Sequence, residues 1–147
     1  MNEPEVVQAM LDARVIAVVG LSSDPAKPSH YVSRYMQRAG YRIVPVNPTL
    51  DGATVLGERS YASLGQATPR PDLVNVFRLP NAIPAIVDEM LQLGLTALWV
   101  QQGIVNLDAA QRAERGGIRV VMNRRIMVEH GMLRTPPRTA ARPTPKG

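Results

Sequence analysis

The chain of 147 residues contains no cysteine. Disulfide bonds, thiolate metal ligands and a cysteine nucleophile are therefore excluded, and the absence suits a reducing cytoplasm, where we expect the protein to reside. The two histidines, His30 and His130, lie far apart in the sequence and show no ligand spacing. We therefore expect no metal site.

Long apolar runs are also missing from the sequence. No apolar stretch approaches the roughly 20 residues that are needed to span a bilayer. The acidic opening Met-Asn-Glu-Pro-Glu lacks the basic region with which a signal peptide begins. We therefore expect a soluble protein without a membrane partner.

Aromatic residues are scarce, with four Tyr, one Trp and one Phe. The formal net charge is +5, but residues 134–147 carry four basic residues and no acidic one, which leaves +1 on residues 1–133. A folded nucleic-acid site combines a basic face with aromatic stacking surfaces, so a nucleic-acid partner is disfavoured. Nucleic-acid binding through the basic residues 134–147 stays open as a weaker alternative, which would show as salt-dependent binding that is lost when these residues are deleted. Residues 134–147 also contain four prolines and no bulky apolar group. This composition predicts a basic, Pro-rich, disordered tail.

Apolar strands alternate with amphipathic helices along residues 5–133. Strands are predicted at 15–19, 42–46, 73–77, 97–100 and 119–122, and helices at 5–11, 29–39, 82–93, 107–115 and 125–130. Such alternation is typical of βαβ units, whose right-handed crossovers build a parallel sheet. We predict one α/β domain over residues 1–133: a three-layer, Rossmann-like, doubly wound sheet of about five mainly parallel strands, with helices on both faces.

Three local features predict irregularities in this pattern. Pro45 lacks an N–H group, so we expect poor pairing at the end of the second strand. Residues 53–56 are assigned to a short edge strand and residues 61–64 to a helical turn. Gly131 is expected to follow the end of the last helix.

The most informative stretch is the first strand and the turn after it. Val15–Val19 are apolar without alternation, as in a central parallel strand that is covered on both faces. Gly20 then permits positive φ and a close approach of a ligand to the backbone. The hydroxyls of Ser22 and Ser23, together with Lys27, lead into a helix whose N-terminal N–H groups favour an anion. This stretch predicts a phosphate-binding turn.

Three other strands also end in polar or turn-forming residues. They are followed by Asn47-Pro48, by Phe77-Arg78-Leu79-Pro80 and by Gln101-Gln102-Gly103. In doubly wound sheets the ligand lies beyond the carboxyl ends of the strands. These three ends are therefore expected to share one ligand-binding edge with the glycine turn.

Two nucleotide-binding motifs are absent. Gly20 is followed by no further glycine until Gly40, and the second strand ends at Asn47 rather than at an acid, so the dinucleotide pattern fails. The P-loop pattern also fails, because Lys27 stands seven residues after Gly20 and no second glycine precedes it. NAD and NTPase functions are disfavoured, and a cradle for an adenine nucleotide or a pyrophosphate remains.

Several blocks resemble a known family. They are Val-Val-Gly-Leu-Ser-Ser-Asp-Pro-Ala-Lys-Pro-Ser-His, Gly-Tyr-Arg-Ile-Val-Pro-Val-Asn-Pro, Val-Asn-Val-Phe-Arg, Leu-Trp-Val-Gln-Gln-Gly, and Val-Val-Met-Asn-Arg with Glu129-His130. Over residues 5–133 the chain resembles the small stand-alone CoA-binding proteins. Those proteins are similar to the CoA-binding domain of the succinyl-CoA synthetase α subunit.

The resemblance implies that coenzyme A or an acyl-CoA is bound at the edge of the sheet. It places the nucleotide phosphates near residues 20–23 and Lys27, the adenosine beside residues 46–48, and residues 77–79 and 101–103 along the same groove, the last guiding the pantetheine arm. The implied cofactor-binding residues are Gly20, Leu21, Ser22, Ser23, Lys27, Val46, Asn47, Pro48, Phe77, Arg78, Leu79, Gln101, Gln102 and Gly103. A neutral Asn47 suits a ligand with several phosphates.

The chain departs from the family pattern at two places. Thr49-Leu50-Asp51 follow Pro48 where the synthetase has a lysine, and Arg125 stands where relatives commonly have a cysteine. The first change leaves one phosphate contact without a candidate residue. For Arg125, an additional phosphate ligand and a solvated surface charge are both open.

We find no catalytic constellation in the sequence and predict binding without turnover. The synthetase reaction needs a phosphoryl-relay histidine, a nucleotide-grasping domain and an acyl-substrate domain, and 147 residues leave no room for the last two. Two other functions stay open. One is a scaffold or regulatory module that partners an enzyme subunit or forms a homo-oligomer, and the other is a binder of an adenine nucleotide that is not CoA.

Overall fold

The computed structural model describes residues 1–134, and its centre is a five-stranded parallel sheet. The strands of this sheet are β1 (Val15–Val19), β2 (Arg42–Val46), β5 (Leu73–Val76), β6 (Ala97–Val100) and β7 (Arg119–Met122). Their spatial order is β2-β1-β5-β6-β7, and every neighbouring pair is parallel. The predicted Rossmann-like α/β fold is confirmed.

Helices cover both faces of the sheet. Residues 1–134 form the α-helices α1 (Pro4–Leu11), α2 (Pro28–Arg38), α3 (Ile83–Leu93), α4 (Leu107–Arg115) and α5 (Ile126–Arg134). The apolar side chains of α3 and α4 form one core cluster with the sheet, and those of α1, α2 and α5 form the other. The two clusters explain why β5 and β6 are buried at every residue and why β6 is apolar without alternation.

The last helix is longer than predicted. Gly131 does not end it, because α5 continues through this glycine to Arg134. Helix α5 packs against α2, where the Tyr35 hydroxyl and His130 Nδ1 share a hydrogen bond of 2.9 Å. Tertiary packing of this kind outweighs the cost of about 1 kcal/mol that a glycine brings to a helix interior.

The segment between β2 and β5 forms a hairpin outside the main sheet. Strands β3 (Thr54–Val55) and β4 (Glu58–Arg59) pair antiparallel with each other in a separate two-stranded sheet. The centre of the predicted segment 53–56 therefore forms a strand, but this strand is not an edge strand of the main sheet. The helical turn expected at 61–64 lies at Leu64–Gln66.

The irregularity expected at Pro45 does not occur. β2 pairs with β1 in regular register, with Val18 opposite Pro45 and Val19 opposite Val46. Alternate residues of a strand point their N–H groups to opposite sides, and the backbone of Pro45 faces away from β1, where its carbonyl accepts from the Tyr61 amide at 3.0 Å. The missing N–H therefore costs no hydrogen bond to β1.

Two further expectations concern membrane-spanning helices and the end of the folded domain. Within residues 1–134, no helix is both long and apolar enough to cross a membrane. The domain boundary at residue 133 stays a prediction. Arg134 is the last residue of α5, and the rest of the predicted tail lies outside the described residues.

Candidate ligand-binding site

The order of the strands creates a crevice at one edge of the sheet. After β1 the chain crosses to β2 on one side, whereas β5 lies on the other side of β1. Loops that leave neighbouring strands in opposite directions open a crevice at the carboxyl ends of those strands. The ends of β1 and β5 carry Gly20 and the segment from Phe77 to Leu79.

Gly20 is required at the end of β1 by two independent features. Its φ is +91°, which L side chains rarely adopt. A Cβ atom at this position would lie 2.6 Å from the backbone oxygen of Phe77 and 2.9 Å from Cδ of Arg78. The glycine therefore brings the turn after β1 into close contact with the segment after β5.

Hydrogen bonds fix the loop that follows Gly20. The amide of Ser22 donates to Ser29 Oγ and the amide of Asp24 to Ser22 Oγ, both at 3.0 Å. His30 is buried, and its Nδ1 donates to the Ser22 carbonyl at 2.8 Å. These contacts fasten the loop to the first turn of α2, whose N-terminus therefore faces the crevice.

The crevice holds a cavity of about 840 Å³. Three basic side chains line it, Lys27, Arg78 and Arg125, and no Asp or Glu among the described residues does. The other lining residues are Gly20, Ser22, Pro28, Ser29, Tyr31, Val32, Phe77, Leu79, Gln101, Gln102, Ile104, Met127 and Val128. The cavity thus combines a positive charge with an extensive apolar wall, which suits a ligand that is anionic in one part and apolar in another.

Eight of the fourteen residues predicted for the site line this cavity: Gly20, Ser22, Lys27, Phe77, Arg78, Leu79, Gln101 and Gln102. The other six lie outside it. Leu21 and Val46 are buried in the core, and Ser23 and Pro48 are exposed on the surface. Gly103 is exposed and its amide donates to Asn123 Oδ1 at 2.8 Å.

Asn47 has structural partners of its own. Its Nδ2 donates to the Leu21 carbonyl at 3.1 Å, and its Oδ1 accepts from the amide and the hydroxyl of Thr49. The side chain therefore joins the end of β2 to the turn after β1. This role positions the turn, whether or not a ligand is bound.

Helices α2 and α5 contribute a wall of the cavity that was not predicted from the sequence. Tyr31 and Val32 of α2 and Met127 and Val128 of α5 line the cavity, as does Arg125, whose role the sequence left open. The apolar positions of a helix do not reveal which part of its face meets a neighbouring helix and which part meets a cavity. The signal available in the sequence was the basic residue directly before α5.

A buried polar pair fastens the start of α5 below the cavity. Gln101 Nε2 donates to Oδ1 of Asn75, which is 1% exposed in the middle of β5. Gln101 Oε1 accepts from the amide of Ile126, the first residue of α5, at 3.3 Å. Gln101 therefore connects three elements that surround the cavity.

Replacing Gln101 is expected to destabilise the protein. Gln101→Leu leaves Asn75 Oδ1 and the Ile126 N–H without their hydrogen-bond partners, and an unsatisfied buried polar group costs about 1–3 kcal/mol. Urea unfolding measures the free energy of unfolding. Gln102→Leu is the control, because Gln102 is exposed and we expect a change within about 0.5 kcal/mol. Equal stability of the two variants would contradict the structural role of Gln101.

Residues 1–134 contain no group of three or more His, Asp or Glu side chains that could hold a metal ion. The residues that line the cavity include none of these three types. What the arrangement offers is hydrogen-bond donors, positive charge and apolar surface.

The fold and the crevice at the switch point place the protein among the Rossmann-like α/β proteins. Within this class, the chain belongs to the CoA-binding domain family, whose model matches residues 14–131.

Relatives of similar length extend this result. The chain is 40% identical over 131 residues to the uncharacterized protein YneT of Bacillus subtilis, covering 89% of this chain and 96% of the relative. It is also 40% identical to the solved structure of cell-free ID.343 from Thermus thermophilus, with a TM-score of 0.82, covering 88% of this chain and 97% of that one.

A more distant likeness concerns the fold alone. The dinucleotide-forming acetyl-coenzyme A synthetase 1 of Ca. Korarchaeum cryptofilum is 21% identical with a TM-score of 0.66. The match covers 80% of this chain but 28% of that one. The fold of this small chain thus recurs as part of a larger acetyl-CoA synthetase.

Proposed function

We propose that the protein binds coenzyme A or an acyl-CoA in the cavity at the carboxyl ends of β1, β5 and β6, and that it does so without turnover. The observation that carries the proposal is the cavity beside Gly20, which is lined by three basic side chains and by no carboxylate of the described chain. Membership of the CoA-binding domain family supports CoA as the ligand.

The phosphates are assigned to the end of the cavity near β1. Gly20 allows the backbone to approach an anion, and the N-terminus of α2 supplies a favourable dipole. Lys27 and Arg78 line this part of the site and take part in no ion pair among residues 1–134. Their charges are therefore available for charge-assisted hydrogen bonds to a pyrophosphate.

The adenosine and the pantetheine arm are assigned to opposite sides of this phosphate site. Pro48 is exposed beyond the end of β2 and Asn47 is half-buried, so the adenosine lies on the surface there. The neutral Asn47 brings no repulsion toward the 3′-phosphate. The pantetheine arm runs the other way, past Gln101 and Gln102, and the exposed amide of Gln102 can hydrogen-bond its peptide groups.

The makeup of the cavity supports binding rather than catalysis. The residues that line it include no Asp, Glu or His, and these side chains are the usual general acids and bases. The chain also has no cysteine that could attack a thioester.

Calorimetric titration tests the proposal with four ligands: CoA, dephospho-CoA, ATP and NAD. We expect CoA to bind tightest, because its 3′-phosphate and pyrophosphate add favourable charge interactions and its pantetheine arm reaches the apolar wall. Absence of heat with CoA, or tighter binding of NAD, would reject the proposal. Incubation with acetyl-CoA and a thiol reagent checks the second part, and release of free thiol above the buffer rate would show turnover.

A further inference from the structure

The basic residues of the cavity are divided between two places. Lys27 is the residue before α2, and Arg78 follows β5 beside Gly20. Arg125 instead precedes α5, whose first amide is bonded to Gln101 beyond β6. β6 is the second strand from β1 in the sheet, and neighbouring strands lie about 4.8 Å apart. Arg125 is therefore anchored roughly 10 Å from the glycine turn, on the side away from β2.

Arg125 has no counter-charge in the described structure. It forms no ion pair among residues 1–134, whereas the preceding Arg124 pairs with Glu129 at 3.6 Å. The backbone carbonyl of Arg124 accepts from the Trp99 indole at 2.9 Å, which fixes the segment. Arg124 does not line the cavity and Arg125 does. An uncompensated guanidinium at a cavity wall favours an anionic ligand group.

Apolar side chains line the same cavity as these basic residues. Tyr31 and Val32 of α2 and Met127 and Val128 of α5 contribute to its wall, with Ile104 after β6. A wall of this kind suits methylene groups, because burying each one is favourable by about 0.8 kcal/mol. The cavity thus offers positive charge near β1, an apolar wall, and a second positive charge beside β6.

We propose that Arg125 selects CoA thioesters whose short acyl chain ends in a carboxylate, that is, the monothioesters of dicarboxylic acids. This inference rests on the proposed function, which directs the pantetheine arm from the glycine turn toward β6. The acyl group, still attached to the pantetheine arm, then lies beside α5. Its methylenes contact the apolar wall, and its terminal carboxylate pairs with the guanidinium of Arg125. The proposed function assigns the 3′-phosphate to the β2 side, away from Arg125.

Matched pairs of ligands measure how much this carboxylate contributes to the binding affinity. Malonyl-CoA and propionyl-CoA have acyl groups of three carbons, and glutaryl-CoA and pentanoyl-CoA have acyl groups of five, so each pair differs by the carboxylate in place of a methyl group. These four thioesters and free CoA are titrated against the wild-type protein, Arg125→Gln and the control Arg124→Gln. We expect the wild type to bind at least one carboxylated ligand about tenfold more tightly than its matched ligand, as for one charge-assisted hydrogen-bonded pair.

The variants separate this role from phosphate binding. Arg125→Gln is expected to abolish the preference while leaving the affinity for free CoA within about twofold, and Arg124→Gln is expected to retain it. A loss of affinity for all five ligands in Arg125→Gln would identify Arg125 as a phosphate ligand and overturn the inference. Equal or weaker wild-type binding of both carboxylated ligands would also overturn it.

Failure of the proposed function gives a different result. If the protein is no CoA binder, free CoA gives no heat with the wild type or with either variant. If the protein binds CoA but Arg125 is a solvated surface charge, free CoA binds and Arg125→Gln changes nothing. The two proposals can therefore fail separately.

Discussion

Gly20→Ala is expected to lower the free energy of unfolding by about 2–5 kcal/mol and to abolish CoA binding. The new Cβ would lie 2.6 Å from the backbone oxygen of Phe77, at a φ of +91°. Unfavourable backbone conformation costs roughly 1–3 kcal/mol, and an atom forced into a packed site costs about as much again. Because the segment after β5 must move, Arg78 is displaced from the proposed phosphate site. Urea unfolding and CoA titration measure the two effects.

Gly117→Ala separates the effect of the steric clash on stability from the effect of the unfavourable φ. Gly117 has a φ of +92°, nearly that of Gly20, but a Cβ there would meet nothing within 4 Å. We expect this control to show the strain alone, about 1–2 kcal/mol, and to bind CoA like the wild type. If the two alanine variants were equally stable, close contact between the turn and Phe77 would not be what requires the glycine.

Reversing two charges in the cavity is expected to weaken CoA binding by at least about 100-fold. In the double variant Lys27→Glu and Arg78→Glu, two attractive contacts to phosphates become repulsive, and a hydrogen bond to a charged group contributes about 1.5–3 kcal/mol. Both side chains are exposed, so the fold is expected to be retained. Titration with CoA measures the loss, and unfolding midpoints check the stability.

The control for this variant makes the same change in net charge elsewhere. Arg34 and Arg119 line no part of the cavity, and Arg119 is at the amino end of β7, away from the site. We expect Arg34→Glu with Arg119→Glu to change CoA affinity by less than about threefold, through weak long-range electrostatics. A similar loss in both double variants would show that overall charge governs binding, and the phosphate site near Lys27 would be rejected.

The sequence predicted the elements of the main sheet well, because their signals are local. Uninterrupted apolar runs such as Val15–Val19 indicated strands buried on both faces, and the structure has β1 over the same residues. The prediction of poor strand pairing at Pro45 was wrong, because the effect of a proline depends on which side of the strand its backbone faces. The prediction that the last helix ends before Gly131 was wrong, because packing of α5 against α2 stabilises the helix beyond the glycine.

Part of the lining of the cavity could be predicted for the same reason, and the ligand contacts of these residues stay a prediction. Gly20, Lys27 and Arg78 follow directly from strand ends and helix starts, and the cavity has them on its wall. The polar Asn47 at the end of β2 could be read from the sequence. Its hydrogen bond to the Leu21 carbonyl could not, because that bond depends on how closely two loops approach each other. The place of Arg125 on the wall of the cavity depends on where α5 lies, and no spacing within the sequence encodes this.

The sequence by itself determined the α/β class, the parallel strands, the glycine turn and the family resemblance. The individual strands and the glycine turn follow from residue types within a short window, where periodicity and backbone preference act. The α/β class and the family resemblance follow from the order of such segments along the chain. Only the tertiary structure decided that β5 lies beside β1, that Phe77 meets Gly20, and that α5 forms a wall of the cavity. These three features arise from packing between segments that are distant in the chain, so they depend on the whole fold and not on local residue types.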